Sequence, residues 1–113
     1  MTNALFEQIA SDIKENDVVL YMKGSRKLPQ CGFSAAVVAV LDRLGVQDYK
    51  DVNVLLDMDV RQAIKEFSDW PTIPQLYIKG EFIGGCDIVK EMYETGELAT
   101  LLKEKGVAFT QAA

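Results

Sequence analysis

The residues able to do chemistry in this chain are few. It contains two cysteines, Cys31 and Cys86, and no histidine. A thiol reacts and binds metal as its thiolate. The absence of histidine removes Cys-His and Ser-His nucleophile pairs and every His-ligated metal site. Activation of a cysteine must therefore come from backbone dipoles or cations. Cys31 has both in prospect. It precedes Gly32-Phe33-Ser34 at the expected start of a helix, whose first-turn N–H groups lack intrahelical partners and face the sulfur, and Lys23 closes the strand before its loop. A free cysteine is more often a small buried hydrophobe, but a Pro-containing loop before a helix argues against that reading. Three residues on, where a dithiol oxidoreductase carries its second cysteine, stands Ser34. A hydroxyl cannot resolve a mixed disulfide, so the pattern points away from general disulfide reduction.

Three further groupings suit a peptide-like ligand with charged ends. In Trp70-Pro71-Thr72-Ile73-Pro74, an X-Pro bond precedes an expected strand. A cis bond there presents the preceding backbone groups outward; an ordinary trans proline turn is the alternative, and the sequence leaves both open. Gly84-Gly85-Cys86-Asp87 opens a helix with close backbone approach for a carboxylate and a side-chain anion for an ammonium, although Asp before a helix commonly serves only as an N-cap. Arg61 and Lys65 lie four apart on one expected helix and could meet a second carboxylate, while on an isolated helix they read as solvated surface.

The elements that must position these residues follow from hydrophobic period. Leu5, Phe6, Ile9 and Ile13 mark a first helix, capped by Thr2 or Asn3. Asp17 to Met22 is an apolar run suited to a strand buried on both faces, and Lys23 to Gln30 is a loop. Val37, Val40, Leu41 and Leu44 form one face of a helix stopped by Gly45. Tyr49–Asn53 suits a strand and Asp57–Phe67 a helix with Val60, Ile64 and Phe67 inward; the strand-helix-strand order implies a parallel pair with a right-handed crossover. Gln75–Ile78 and Glu81–Ile83 flank Lys79-Gly80 as a tight hairpin. One helix begins near Asp87, and Gly96 separates it from another over Glu97–Lys105, ended by Gly106. The result is an α/β chain with a small mixed sheet between helices, a thioredoxin-like arrangement.

At 113 residues, with 49% apolar and 26% charged residues, the chain suits one domain over residues 1–113. A formal charge of −5 works against nucleic-acid binding, which relies on clustered Lys and Arg. No apolar run reaches a membrane span, and residues 1–17 have neither a secretory h-region nor an Arg-rich, acid-poor transit pattern. Two cysteines are too few for a disulfide scaffold and point to thiols in a reducing compartment, read as a bacterial cytoplasm, with a processed mitochondrial matrix form as the other reading.

Taken together, Lys23-Gly24, Cys31-Gly32-Phe33-Ser34, Trp70-Pro71-Thr72-Ile73-Pro74-Gln75 and Gly84-Gly85-Cys86-Asp87 resemble the CGFS-type monothiol glutaredoxins, over about Val18 to Leu102. The resemblance implies a glutaredoxin fold with a four-stranded mixed sheet flanked by helices. It also implies that Cys31 is the catalytic thiol and the ligand of a bridging [2Fe-2S] cluster, with Lys23 the nearby cation. Arg61 and Lys65 would face the glycine carboxylate of glutathione, Thr72 and Ile73 would pair with its backbone, and Cys86 and Asp87 would hold its γ-glutamyl end. Since such a cluster takes four ligands, usually thiolates, two protomers and two glutathiones would supply them in a homodimer. In the family a BolA-type protein can replace one protomer. The implied function is an iron-sulfur carrier or assembly factor delivering to apo iron-sulfur proteins. Competing readings are a glutathione-dependent monothiol oxidoreductase that deglutathionylates proteins, with weak activity and with Cys86 a candidate distant resolving thiol, and a BolA-partnered iron-regulatory adaptor.

Overall fold

A computed structural model describes the backbone of residues 2–110 and side chains from Ala4 onward. In chain order the elements are α1 (Thr2–Glu15), β1 (Val18–Met22), α2 (Gly32–Arg43), β2 (Lys50–Asn53), α3 (Met58–Ser68), β3 (Gln75–Ile78), β4 (Glu81–Gly84), α4 (Cys86–Thr95) and α5 (Glu97–Glu104). The proposed cap at Thr2 or Asn3 involves side chains outside the described residues.

The apolar run of β1 is buried at all of its positions because it lies inside the sheet, whose order is β2-β1-β3-β4. It pairs in parallel with β2, Tyr21 opposite Val52, and antiparallel with β3, Leu20 opposite Leu76. Successive side chains of a strand face opposite ways, so β1 feeds two cores. Val18, Leu20 and Met22 join Leu76 and Ile78 of β3 against Val37 and Leu41 of α2, Val89 of α4 and Leu98 and Leu102 of α5. Val19 and Tyr21 join Tyr77 against Ile9 and Ile13 of α1 and Ala63 and Ile64 of α3. Each fully buried Leu or Ile contributes about 1.5–3 kcal/mol relative to exposure, and this holds a helix layer on each face.

Local signals terminate the elements close to where the sequence places them. Asp57 caps α3 by accepting from the N–H groups of Asp59 and Val60, so the helix begins one residue later than read. Of its three inward positions, Ile64 is buried and Val60 and Phe67 are half-buried. The Lys79-Gly80 turn has positive φ at both residues, the backbone that matches strand twist in a two-residue hairpin. The last helix stops at Glu104 rather than Lys105.

The 23–30 loop is ordered by its own bonds. Gln30 N–H donates to Lys23 O at 2.9 Å, and Ser25 and Leu28 exchange backbone bonds. Gly24 makes this fold possible: its φ is +92°, and a Cβ there would stand 2.6 Å from Gln30 N and Leu28 O.

Candidate functional site

The loop delivers the chain to Cys31, which is the N-cap of α2 with extended backbone. Its thiol is held below the ordinary value. The backbone N–H of Ser34 is the largest cause; burial opposes it, and the Phe33 N–H, the Lys23 ammonium and the Ser34 hydroxyl add to it. None of the N–H groups reaches capping hydrogen-bond geometry at Sγ. They act as oriented dipoles.

Ser34 does more than omit a thiol. It is fully buried, and its Oγ accepts the Lys23 N–H at 3.1 Å, tying the first turn of α2 to the end of β1. Lys23 and Cys31 are thereby placed by one residue.

Beside them opens a groove of about 380 Å³. Lys23 and Phe33 line it from the thiol side, Lys65 from α3, the 70–74 segment along its length, and Gly85, Cys86, Asp87 and Ile88 from the start of α4. Six of the eight residues singled out in the sequence, Lys23, Lys65, Thr72, Ile73, Cys86 and Asp87, therefore meet at one groove. Cys31 is next to it through Lys23 and lies within electrostatic reach of Cys86. Arg61 shares the helix with Lys65 but is not a lining residue; its Nε is buried and has no partner among the described residues.

The Ile73–Pro74 peptide bond is cis, which decides between the two readings of that segment. Among the described residues, the N–H and C=O of Ile73 have no backbone partner. Gly85, rather than Asp87, is the N-cap of α4 and provides no side-chain bond. Asp87 is thus an exposed carboxylate in the first turn rather than a cap. A Cβ on Gly85 would lie 3.3 Å from both Pro74 O and Trp70 Nε1, so glycine lets α4 start against the 70–74 segment. Burial pushes the Cys86 thiol up, Lys90 pulls it down, and Asp87 and Cys31 push it further up. Among the described residues no group of three or more His, Cys, Asp or Glu could hold a metal ion within the chain.

Sequence reasoning missed Arg26. Its guanidinium lies 3.7 Å from the centroid of the Tyr49 ring and donates to Tyr49 O at 3.1 Å and Gln47 O at 2.8 Å, while the backbone N–H of Arg26 donates to Asp51 Oδ2 at 2.9 Å. With the Gly24 N–H on Asn53 Oδ1 at 3.0 Å, these bonds strap the loop to β2. An Arg in a polar loop carries no signal of this.

The family model for glutaredoxin matches residues 18–83. A probable monothiol glutaredoxin 2 from Rickettsia typhi is 55% identical over 105 residues, covering 93% of this chain and 94% of the relative. This chain belongs to the glutaredoxin family, in its monothiol branch. The glutaredoxin is also 52% identical, over 84% of its length and 61% of the relative's, to a mitochondrial glutaredoxin-related protein 5 from Danio rerio. Among solved structures it superposes on a truncated Trypanosoma brucei 1-C-Grx1 with TM-score 0.84 at 44% identity, covering 92% of this chain and 94% of that one. A buckwheat glutaredoxin–glutathione complex gives TM-score 0.81 at 26% identity, covering 94% of each. The thioredoxin-like glutaredoxin fold is thereby established for this glutaredoxin, with its mixed sheet of four strands.

Proposed function

We propose that this glutaredoxin binds glutathione in the groove and uses Cys31 to hold a [2Fe-2S] cluster shared between two copies, which it carries to apo iron-sulfur proteins. The observation that carries the reading is a solitary thiolate-favouring cysteine beside a groove with cations on one side and a carboxylate on the other. Lys23 supports the thiolate, and Lys65, assisted by Arg61, meets the glycine carboxylate of glutathione. Thr72 and Ile73 offer backbone groups to its peptide bonds, and Asp87 with the N–H of Cys86 takes the γ-glutamyl end. The buckwheat complex supports glutathione as the ligand class.

The donor set fits the cluster only as a shared cargo. Four ligands are needed, usually thiolates, and Cys31 is the one thiol here whose environment favours the anion; Cys86 is pushed the other way. Two chains and two glutathiones complete the set, and a BolA-type protein can stand in for one chain. A reducing compartment such as a bacterial cytoplasm keeps both thiols and glutathione reduced.

Anaerobic reconstitution with iron, sulfide and glutathione tests this. Visible cluster absorbance with about one iron per chain is expected, lost on omitting glutathione and in Cys31→Ser. Wild-type protein without absorbance, or Cys31→Ser with normal absorbance, overturns it. The same lowered thiol supports a second reading, removal of glutathione from protein mixed disulfides with Cys31 as nucleophile. Turnover of a glutathionylated protein at the rate of a dithiol glutaredoxin would reverse the order of the two.

A further inference from the structure

Gln75 is one of two buried polar residues in the described chain, with no exposed surface. It begins β3, a strand otherwise made of Leu76, Tyr77 and Ile78 and buried throughout. A leucine or methionine would fill that space without the cost of dehydrating an amide. The carboxamide is instead engaged at both its nitrogen and its oxygen. Its Nε2 donates to Trp70 O and to Thr72 O, each at 3.2 Å, and its Oε1 accepts from the Tyr77 hydroxyl at 3.3 Å. The orientation is fixed by the partners, because two carbonyls can only accept and must face the nitrogen. Burial raises the Tyr77 phenol to about 12, so it stays protonated and able to donate.

The two carbonyls bracket Pro71, and Trp70, Pro71, Thr72 and Ile73 all line the groove. No helix or strand holds this segment: α3 ends at Ser68 and β3 starts at Gln75. The Trp70 N–H is tied back to Lys65 O and Ser68 Oγ, but among the described residues the Thr72 carbonyl has Gln75 as its one protein partner. A turn without a ladder keeps its shape only as well as its anchors do.

We infer that Gln75 is a positioning residue for the ligand groove, its buried carboxamide holding the Trp70–Thr72 turn so that the Thr72–Ile73 backbone edge is presented to a peptide-like ligand. The inference rests on the glutathione reading above and deepens it. Gln75 touches no ligand itself; it acts through the two carbonyls behind the groove. Tyr77 is the next link, its hydroxyl donating to the amide oxygen.

The test is calorimetric titration of reduced glutathione into wild type, Gln75→Met and Tyr77→Phe at 10 °C. Gln75→Met is expected to raise the dissociation constant about tenfold, since both anchoring bonds are lost, and Tyr77→Phe about two- to threefold. The rate at which iodoacetamide alkylates Cys31 should stay within about twofold of wild type, because α2 places that thiol independently. A purely structural glutamine would lower the melting temperature while leaving the folded protein's glutathione affinity intact, and that result overturns the inference. Should Gln75→Met fail to fold, NMR of the wild type decides. The Gln75 side-chain amide protons should exchange slowly and shift as glutathione saturates the groove; exchange at a surface rate, or no shift at saturation, overturns the inference. Absence of glutathione binding by wild type strikes the proposed function instead.

Discussion

Cys86 lines the groove, Cys31 lies next to it, and the two thiols are biased in opposite directions. The Ser34 and Phe33 amides and Lys23 lower the first against its burial, and burial above all raises the second. Alkylation follows the thiolate, so the pH at which each thiol reaches half its maximal rate should separate. Mass spectrometry after iodoacetamide pulses across pH 5 to 10 is expected to show Cys31 turning on below the ordinary thiol value and Cys86 above it. Coincident profiles, or Cys86 reacting first, count against this assignment of the nucleophile. Ser34 makes a second claim at this scale. Replacing it with Ala leaves the Lys23 N–H without an acceptor in a part-buried place, which should cost about 1 kcal/mol in urea unfolding. It also removes a hydroxyl that favours the thiolate, so the Cys31 profile should move up in pH. A variant with unchanged stability and profile would mean that Ser34 matters only as the absence of a thiol.

The elements were legible in the sequence where one short stretch carried both the pattern and its stop. Val37, Leu41 and Gly45 gave α2, and Lys79-Gly80 gave the hairpin. Most of the groove residues were legible for the same reason, since they lie in compact motifs, whereas Lys65 reads on its own as solvated surface and Ile88 carried no signal. What stayed hidden depends on side-chain partners that only the folded chain brings into reach, near or far in sequence. Arg26 meets Gln47, Tyr49 and Asp51, residues more than twenty positions away, and nothing in Ser25-Arg26-Lys27 encodes the encounter. Gln75 was visible as part of a motif, but its job is to face carbonyls that only the turn brings behind it. Two changes separate local from distant support. Asp57→Ala removes an N-cap and should cost about 1 kcal/mol, with amide exchange quickening in the first turn of α3 alone. Arg26→Ala removes two hydrogen bonds and a ring contact that join the loop to the segment leading into β2, and should cost about 1–3 kcal/mol. Its signature is faster exchange of the Gln30 amide, which closes the loop on Lys23. An Arg26→Ala protein whose loop amides exchange as in wild type would show that the loop's own turn suffices.

At the scale of the whole molecule, the sheet is covered on both faces by apolar cores that draw on all of its layers, and no described ligand set within the chain asks for a metal. Folding and cluster binding should therefore be separable, unlike small zinc domains whose metal supplies the folding energy. A shared cluster instead makes assembly depend on iron. In the proposed arrangement the ligands would come half from each chain and its glutathione, so removing the metal would remove the join while each fold persists. Sedimentation velocity on reconstituted protein is expected to show a dimer that becomes monomeric on adding an iron chelator, while far-ultraviolet circular dichroism stays constant. Cys31→Ser should sediment as a monomer before and after. A dimer that survives chelation would place the interface in protein contacts rather than in the cluster. Loss of the circular dichroism signal on chelation would mean that the two covered faces are not enough to hold the chain folded.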